Sequence, residues 1–98
     1  MDWSILMAHG QRGDADAYRR LLEDLTPWLR LYVRRWFRDD RDVEDCVQEI
    51  LLTIHAIRRT YDPARPFGPW LVGIARRRVA DRLRKTLRTY GHETDLGD

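Results

Sequence analysis

The chain is 98 residues long, which gives room for one domain and falls short of two. Hydrophobic residues make up 43% of it and charged residues 35%, so a packed core is expected, and no apolar run approaches the ~20 residues of a membrane span. Residues 1–10 carry Asp2 and His9 with no basic start, so no signal peptide is expected, and a lone Cys46 excludes an internal disulfide framework and points to a reducing cytoplasm.

In chain order the elements read as helices. Apolar/polar alternation is missing, and Gly and Pro fall at punctuation points. Residues 2–9 predict a first short helix. Asp14 is placed to N-cap a second over residues 15–25, with Tyr18, Leu21, Leu22 and Leu25 on one face. Thr26-Pro27 either starts a new helix or kinks this one, and Trp28, Leu29, Tyr32, Val33, Trp36 and Phe37 continue at helical spacing. The polar break Asp39-Asp40-Arg41-Asp42 precedes a third helix over residues 42–59. After a loop at 60–66, a fourth helix is predicted from about Pro69 to Thr89, and residues 91–98 read as a frayed, flexible tail. The expected fold is all-α, a compact bundle of about four helices with no sheet, occupying residues 1–90.

Charge is distributed unevenly along these elements. The formal net charge is only +2, yet residues 1–57 hold 8 basic and 11 acidic side chains, and residues 58–88 hold 10 basic and 2 acidic ones. Glu93, Asp95 and Asp98 make the end acidic again. A basic block of this kind suggests a polyanionic partner, although a charge run is also the ordinary solvated face of a helix. Of the 18 basic residues only Lys85 is lysine. Arginine suits phosphates, base edges and aromatic rings, and a compositional bias gives the same excess.

Helical wheels sharpen both halves. On the third helix Val43, Cys46, Val47, Ile50, Leu51, Ile54 and Ile57 form a core arc, opposite Asp45, Gln48, Glu49, Leu52 and Ala56. Leu52 is thus expected exposed within an acidic stripe, either as an ordinary surface leucine or as the centre of a docking face for a basic partner. The like charges Asp45 and Glu49 at i, i+4 oppose helix formation slightly, which a partner's arginines would offset. On the fourth helix Leu71, Ile74, Ala75, Val79, Leu83 and Leu87 face the core. Trp70 falls in line with Arg77, Asp81, Arg84, Lys85 and Arg88, and Tyr61, Arg65 and Phe67 lie close by in the preceding loop. Cations beside an accessible aromatic are what a single nucleic-acid strand requires. Trp70 also fits a half-buried boundary position, and Phe67 a staple at the helix start.

No enzyme constellation emerges, and no cofactor is expected. His9, His55 and His92 lack metal-ligand spacing, Cys46 falls on the apolar arc, and no phosphate-binding glycine loop is present. The carboxylates between Asp39 and Asp45 suit capping better than a metal site.

Two longer motifs give a family resemblance. Asp42-Val43-Glu44-Asp45-Cys46-Val47-Gln48-Glu49 resembles the D-x-E-D-x-x-Q-E start of region 2.2 in bacterial sigma factors. Residues 66–76, with Phe67, Trp70, Leu71, Ile74, Ala75 and Arg76, resemble the F-x-x-W-L-x-x-I-A-R segment of regions 2.3–2.4 in the extracytoplasmic-function (ECF) group. Asp81-Arg82-Leu83-Arg84-Lys85 matches the D-R-L-R-[RK] that follows it. The resemblance spans roughly residues 5–88.

The resemblance implies a non-enzymatic four-helix domain that binds core RNA polymerase and captures the promoter −10 element as an opened, non-template single strand. Asp45, Gln48 and Glu49 would meet the clamp helices of the largest polymerase subunit, with Leu52 beside them. Residues 61–66 would form a specificity loop around a flipped base, at a cost of a few kcal/mol that pocket and phosphate contacts must return. Trp70, Arg76, Arg77 and Lys85 would lie along the strand, joined by Arg84 on the wheel. Arg77 stands where many relatives carry Asn, so base preference does not transfer there. A linker, begun by residues 91–98, and a −35-reading region 4 are expected to follow. An anti-sigma factor, often a membrane protein, is implied as a second partner in the bacterial cytoplasm. The alternative from another class is a helical interaction module whose basic face meets an acidic protein. A third, a Mg²⁺-dependent nuclease built on the Asp39–Asp45 carboxylates, predicts DNA cleavage that is not expected.

Overall fold

A computed structural model describes residues 2–97, with side chains as far as residue 88. Four helices follow one another: α1 (Trp3–Gln11), α2 (Ala15–Val33), α3 (Asp40–Ile57) and α4 (Phe67–Gly97), with a 3-10 turn at Arg58–Thr60 closing α3. No strand occurs among the described residues.

Local chemistry sets the helix starts. Asp2, Asp14 and Asp39 each hold extended backbone and accept a first-turn amide, from Ser4 (2.9 Å), Ala17 (3.1 Å) and Arg41 (2.8 Å). Each such cap is worth about 1 kcal/mol. Between α1 and α2 the chain reverses at Gly13, whose φ of 98° is open to glycine at little cost. Gly10 lets α1 approach α2 closely, since a Cβ there would lie 3.0 Å from the Tyr18 Cβ.

Pro27 neither ends nor restarts a helix. It sits on the exposed side of α2, so the Glu23 carbonyl that loses its partner faces solvent. An interior proline costs about 3 kcal/mol. Leu29 and Val33 beyond it are completely buried, and each such burial is worth about 1.5–3 kcal/mol, so continuing the helix wins. The turn comes later, at 34–36, where Phe37 drops into the core.

The core is one cluster in which Leu21, Leu25 and Leu29 of α2 meet Val47, Ile50 and Ile54 of α3 and Leu71 and Ala75 of α4. α4 starts two residues earlier than its sequence suggests, because Pro69 in a first turn loses no hydrogen bond. It also has no break at Gly91 and stays helical to Gly97, while Asp98 lies outside the described residues. Its 31 residues outrun the bundle and give the molecule extents of 56 × 22 × 19 Å. Leu87, assigned to the apolar arc, is 68% exposed on this overhang, and Ile57 at the end of α3 is likewise exposed.

Candidate functional site

Asp45, Gln48, Glu49 and Leu52 all lie on the outer face of α3 and are exposed, Leu52 to 67%. Their electrostatics differ from the sequence expectation in one respect. Arg82 of α4 reaches across, placing Nη2 3.0 Å from Asp42 and 3.4 Å from Asp45, and Nη1 3.1 Å from Glu49. The Asp45–Glu49 repulsion is therefore relieved within the chain, before any partner arrives. Arg82 is 15% exposed. Burial lowers its pKa, and the Asp42 hydrogen bond with the Glu49, Asp42 and Asp45 charges more than offsets that, so its charge is secured. Three carboxylates share one guanidinium, which leaves the face acidic around an exposed leucine.

The basic side is built on α4. Trp70, Arg77, Arg84 and Arg88 recur at helical spacing along one stripe, all three arginines exposed. Arg77 and Arg76 form no ion pair among the described residues, although Arg76 lies about a third of a turn away from the stripe. Asp81 holds Arg78 at 2.7 Å and also pairs with Arg84. Lys85 is exposed beside them.

At the head of the stripe, Trp70 is half-buried, with its ring against Tyr61 (centroids 5.4 Å apart) and Phe67 (5.5 Å). It borders a cavity of about 630 Å³, also lined by Thr60, Tyr61, Asp62, Arg65, Pro66 and Pro69. Two residues expected along a bound strand are largely covered. Tyr61 and Phe67 are 3% and 4% exposed and belong to the core. The Tyr61 hydroxyl turns inward to donate to the Arg65 carbonyl, and Phe67 faces Trp3 of α1 at 6.3 Å. Burial pushes the Tyr61 phenol pKa up, which keeps it a neutral donor. These rings form the floor under Trp70, and Arg65 alone of the three remains exposed.

The loop is preformed. Asp62 accepts from the Ala64 amide at 2.9 Å and its carbonyl from the Arg65 amide at 2.9 Å. Gln11 of α1 donates to the carbonyls of Arg58 (2.9 Å) and Tyr61 (2.8 Å), pinning both ends of the turn that enters the loop. Sequence reading missed Gln11, for which only a contact 50 residues away in sequence gives the reason. It also missed Arg82, for which a signal existed: by spacing, Arg78 and Arg82 fall inside the apolar arc of α4.

No cluster of three or more potential ligands among the described residues is placed to hold a metal ion. Cys46 is fully buried. Burial first, and the Glu49 charge second, raise its thiol to about 11. Native protein at pH 8 is therefore expected to leave Ellman's reagent unreacted over a period in which denatured chain reacts completely. Equal rates would show that the packing around α3 is looser than described.

The Sigma-70 region 2 profile matches residues 21–89. The ECF RNA polymerase sigma factor SigF of Caulobacter vibrioides is 40% identical over 95% of this chain and 55% of its own length. SigD of Mycobacterium tuberculosis is 37% identical over 81% of this chain and 40% of its own. Among solved structures, an engineered region 2 of sigmaE, determined in complex with GTAAAA, superposes with a TM-score of 0.80 at 26% identity, covering 91% of this chain and 93% of that one. The chain belongs to the Sigma-70 region 2 family, in its ECF branch. Sigma factors are transcription initiation factors and not enzymes. The chain spans about half the length of the curated relatives it matches.

Proposed function

We propose that this chain docks on the clamp helices of core RNA polymerase through Asp45, Gln48, Glu49 and Leu52, and holds the promoter −10 element as a single non-template strand. The strand lies along Arg65, Trp70, Arg76, Arg77, Arg84 and Lys85, with a flipped base in the cavity lined by Thr60 and Trp70. The observation that carries this is Trp70, fixed from behind by Tyr61 and Phe67 and open toward the cavity at the head of an arginine stripe. The engineered sigmaE region 2 in complex with GTAAAA supports the same reading. An anti-sigma factor covering both faces, and a place in the bacterial cytoplasm, complete it. No helix among the described residues is long and apolar enough to cross a membrane.

Two measurements test it. Anisotropy titration with a labelled −10-like single strand at two salt concentrations should show binding, and Arg77→Ala with Arg84→Ala should flatten the salt slope by about one to two units. An unchanged slope removes these arginines from the interface. Preference for an acidic polypeptide over the strand would favour a protein-interaction module instead. For docking, Leu52 is 67% exposed and outside the core, so Leu52→Asp should leave the protein folded and should abolish capture by the isolated clamp helices. Undiminished capture overturns the docking assignment.

A further inference from the structure

Aromatic rings continue beyond the α4 stripe. Phe67 meets Trp3 at 6.3 Å, Trp3 meets Trp28 at 6.1 Å, Trp28 stacks on Tyr32 at 5.3 Å and 20°, and Tyr32 meets Trp36 at 4.9 Å. The run thus leads from Trp70 past the start of α1 to the C-terminal end of α2. Core packing alone accounts for only part of it. Trp28 and Tyr32 precede the fully buried Leu29 and Val33 and so lie on the flank of α2, half-buried like Trp3. Trp36 is 41% exposed and Leu31, on the same flank, 67%.

Cations accompany these rings. Arg34, Arg35 and Arg38 are exposed in and just after the turn that carries Trp36, and the Arg35 guanidinium lies 5.8 Å over the Tyr32 ring. Of the acidic neighbours, Asp39 caps α3 and Glu44 is paired with Arg30, Asp40 stands exposed two residues after Arg38, and Asp24 sits a turn before Trp28 at the far end of the flank. Accessible aromatic faces interleaved with arginine, joined ring by ring to the Trp70 cavity, repeat the chemistry of the α4 stripe on another part of the molecule. An apolar protein partner would fit the rings but gives no reason for three clustered arginines that form no ion pair among the described residues, whereas phosphates do.

We propose that Trp28, Tyr32 and Trp36, with Arg35, form a second stacking surface for unpaired bases of the same single DNA strand, beyond those held at Trp70. This rests on the reading of α4 as a single-strand site. Stacking there is tolerant of base identity, because every base presents a ring face.

The test compares three labelled strands on the 98-residue chain: the hexamer GTAAAA, and that hexamer extended by six thymidines at either its 5′ or its 3′ end. One extended strand is expected to bind at least about tenfold tighter than the hexamer, the equivalent of one or two stacked bases. Added phosphates also tighten binding, so the deciding quantity is the gain that a ring removes. Trp36→Ala should erase most of the gain and leave hexamer affinity unchanged, and Trp36→Phe should keep most of it. Hexamer binding with no gain from either extension overturns this surface alone. Equal weakening of hexamer and extended strand by Trp36→Ala overturns it too, as does a loss confined to capture by the polymerase clamp helices. Binding of no strand at all overturns the α4 reading together with it.

Discussion

Replacing Arg82 by alanine is expected to lower the melting temperature by about 8–15 °C, followed by circular dichroism at low ionic strength. The substitution leaves Asp42, Asp45 and Glu49 facing one another with no cation between them. Breaking a buried ion pair costs about 3–5 kcal/mol. These carboxylates are 42–56% exposed, so water and salt screen much of that, and about 2 kcal/mol is the reasonable share. Part of the loss is packing, because the arginine stem lies against α3. Arg82→Met keeps the stem and should recover roughly half. Added salt should narrow the gap between wild type and both variants, since the remaining repulsion is between exposed charges. If Arg82→Ala melts within a degree of wild type, the bridge from α4 to α3 contributes nothing, and the two proposed interfaces are mechanically independent.

The same arginine shows where sequence reading stopped. Helix number, the caps at Asp14 and before α3, and the outward face of Asp45, Gln48, Glu49 and Leu52 follow from spacing alone, because burial imposes the 3.6-residue period on each helix. What spacing does not contain is the pairing between helices. Arg82 and Arg78 stand on the apolar arc of α4, and that anomaly signals a carboxylate across the interface, but only α3 packed against α4 identifies Asp42, Asp45 and Glu49. Tyr61 and Phe67 were ambiguous for a different reason. An aromatic residue in a loop serves equally as a stacking platform and as a plug for the core. The choice was made by the reach of the Tyr61 hydroxyl to Arg65 and by Trp3 arriving from α1, contacts invisible to local pattern. Pro27 was ambiguous because its cost is local, whereas the compensation from Leu29 and Val33 is tertiary. Leu87 obeyed the period and is still exposed, since no other helix extends far enough to cover it.

Phe67→Ala and Trp70→Ala, three positions apart on α4, are expected to fail in opposite ways. Phe67 is 4% exposed and touches Trp3, Tyr61 and Trp70 at 5.2–6.3 Å. Its loss opens a cavity among those rings at a cost of about 3–5 kcal/mol, which is a large part of the roughly 5–15 kcal/mol that holds a domain folded. The melting temperature should fall by about 20 °C or more. Trp70 is half-buried, so its removal forfeits less packing, and the principal loss is a stacked base: roughly tenfold to a hundredfold in single-strand affinity. Titration well below both melting points separates the two effects, since floor residues act on the strand only through the ring they support. A folded Phe67→Ala protein should then bind the strand within a few-fold of wild type, with Trp70→Ala the weaker binder. The reverse order, with Trp70→Ala binding normally and Phe67→Ala not, would put the base contact on the buried side of the cluster. The loop would then have to open to admit the strand, and the preformed cavity beside Trp70 would not be the place where the base is read.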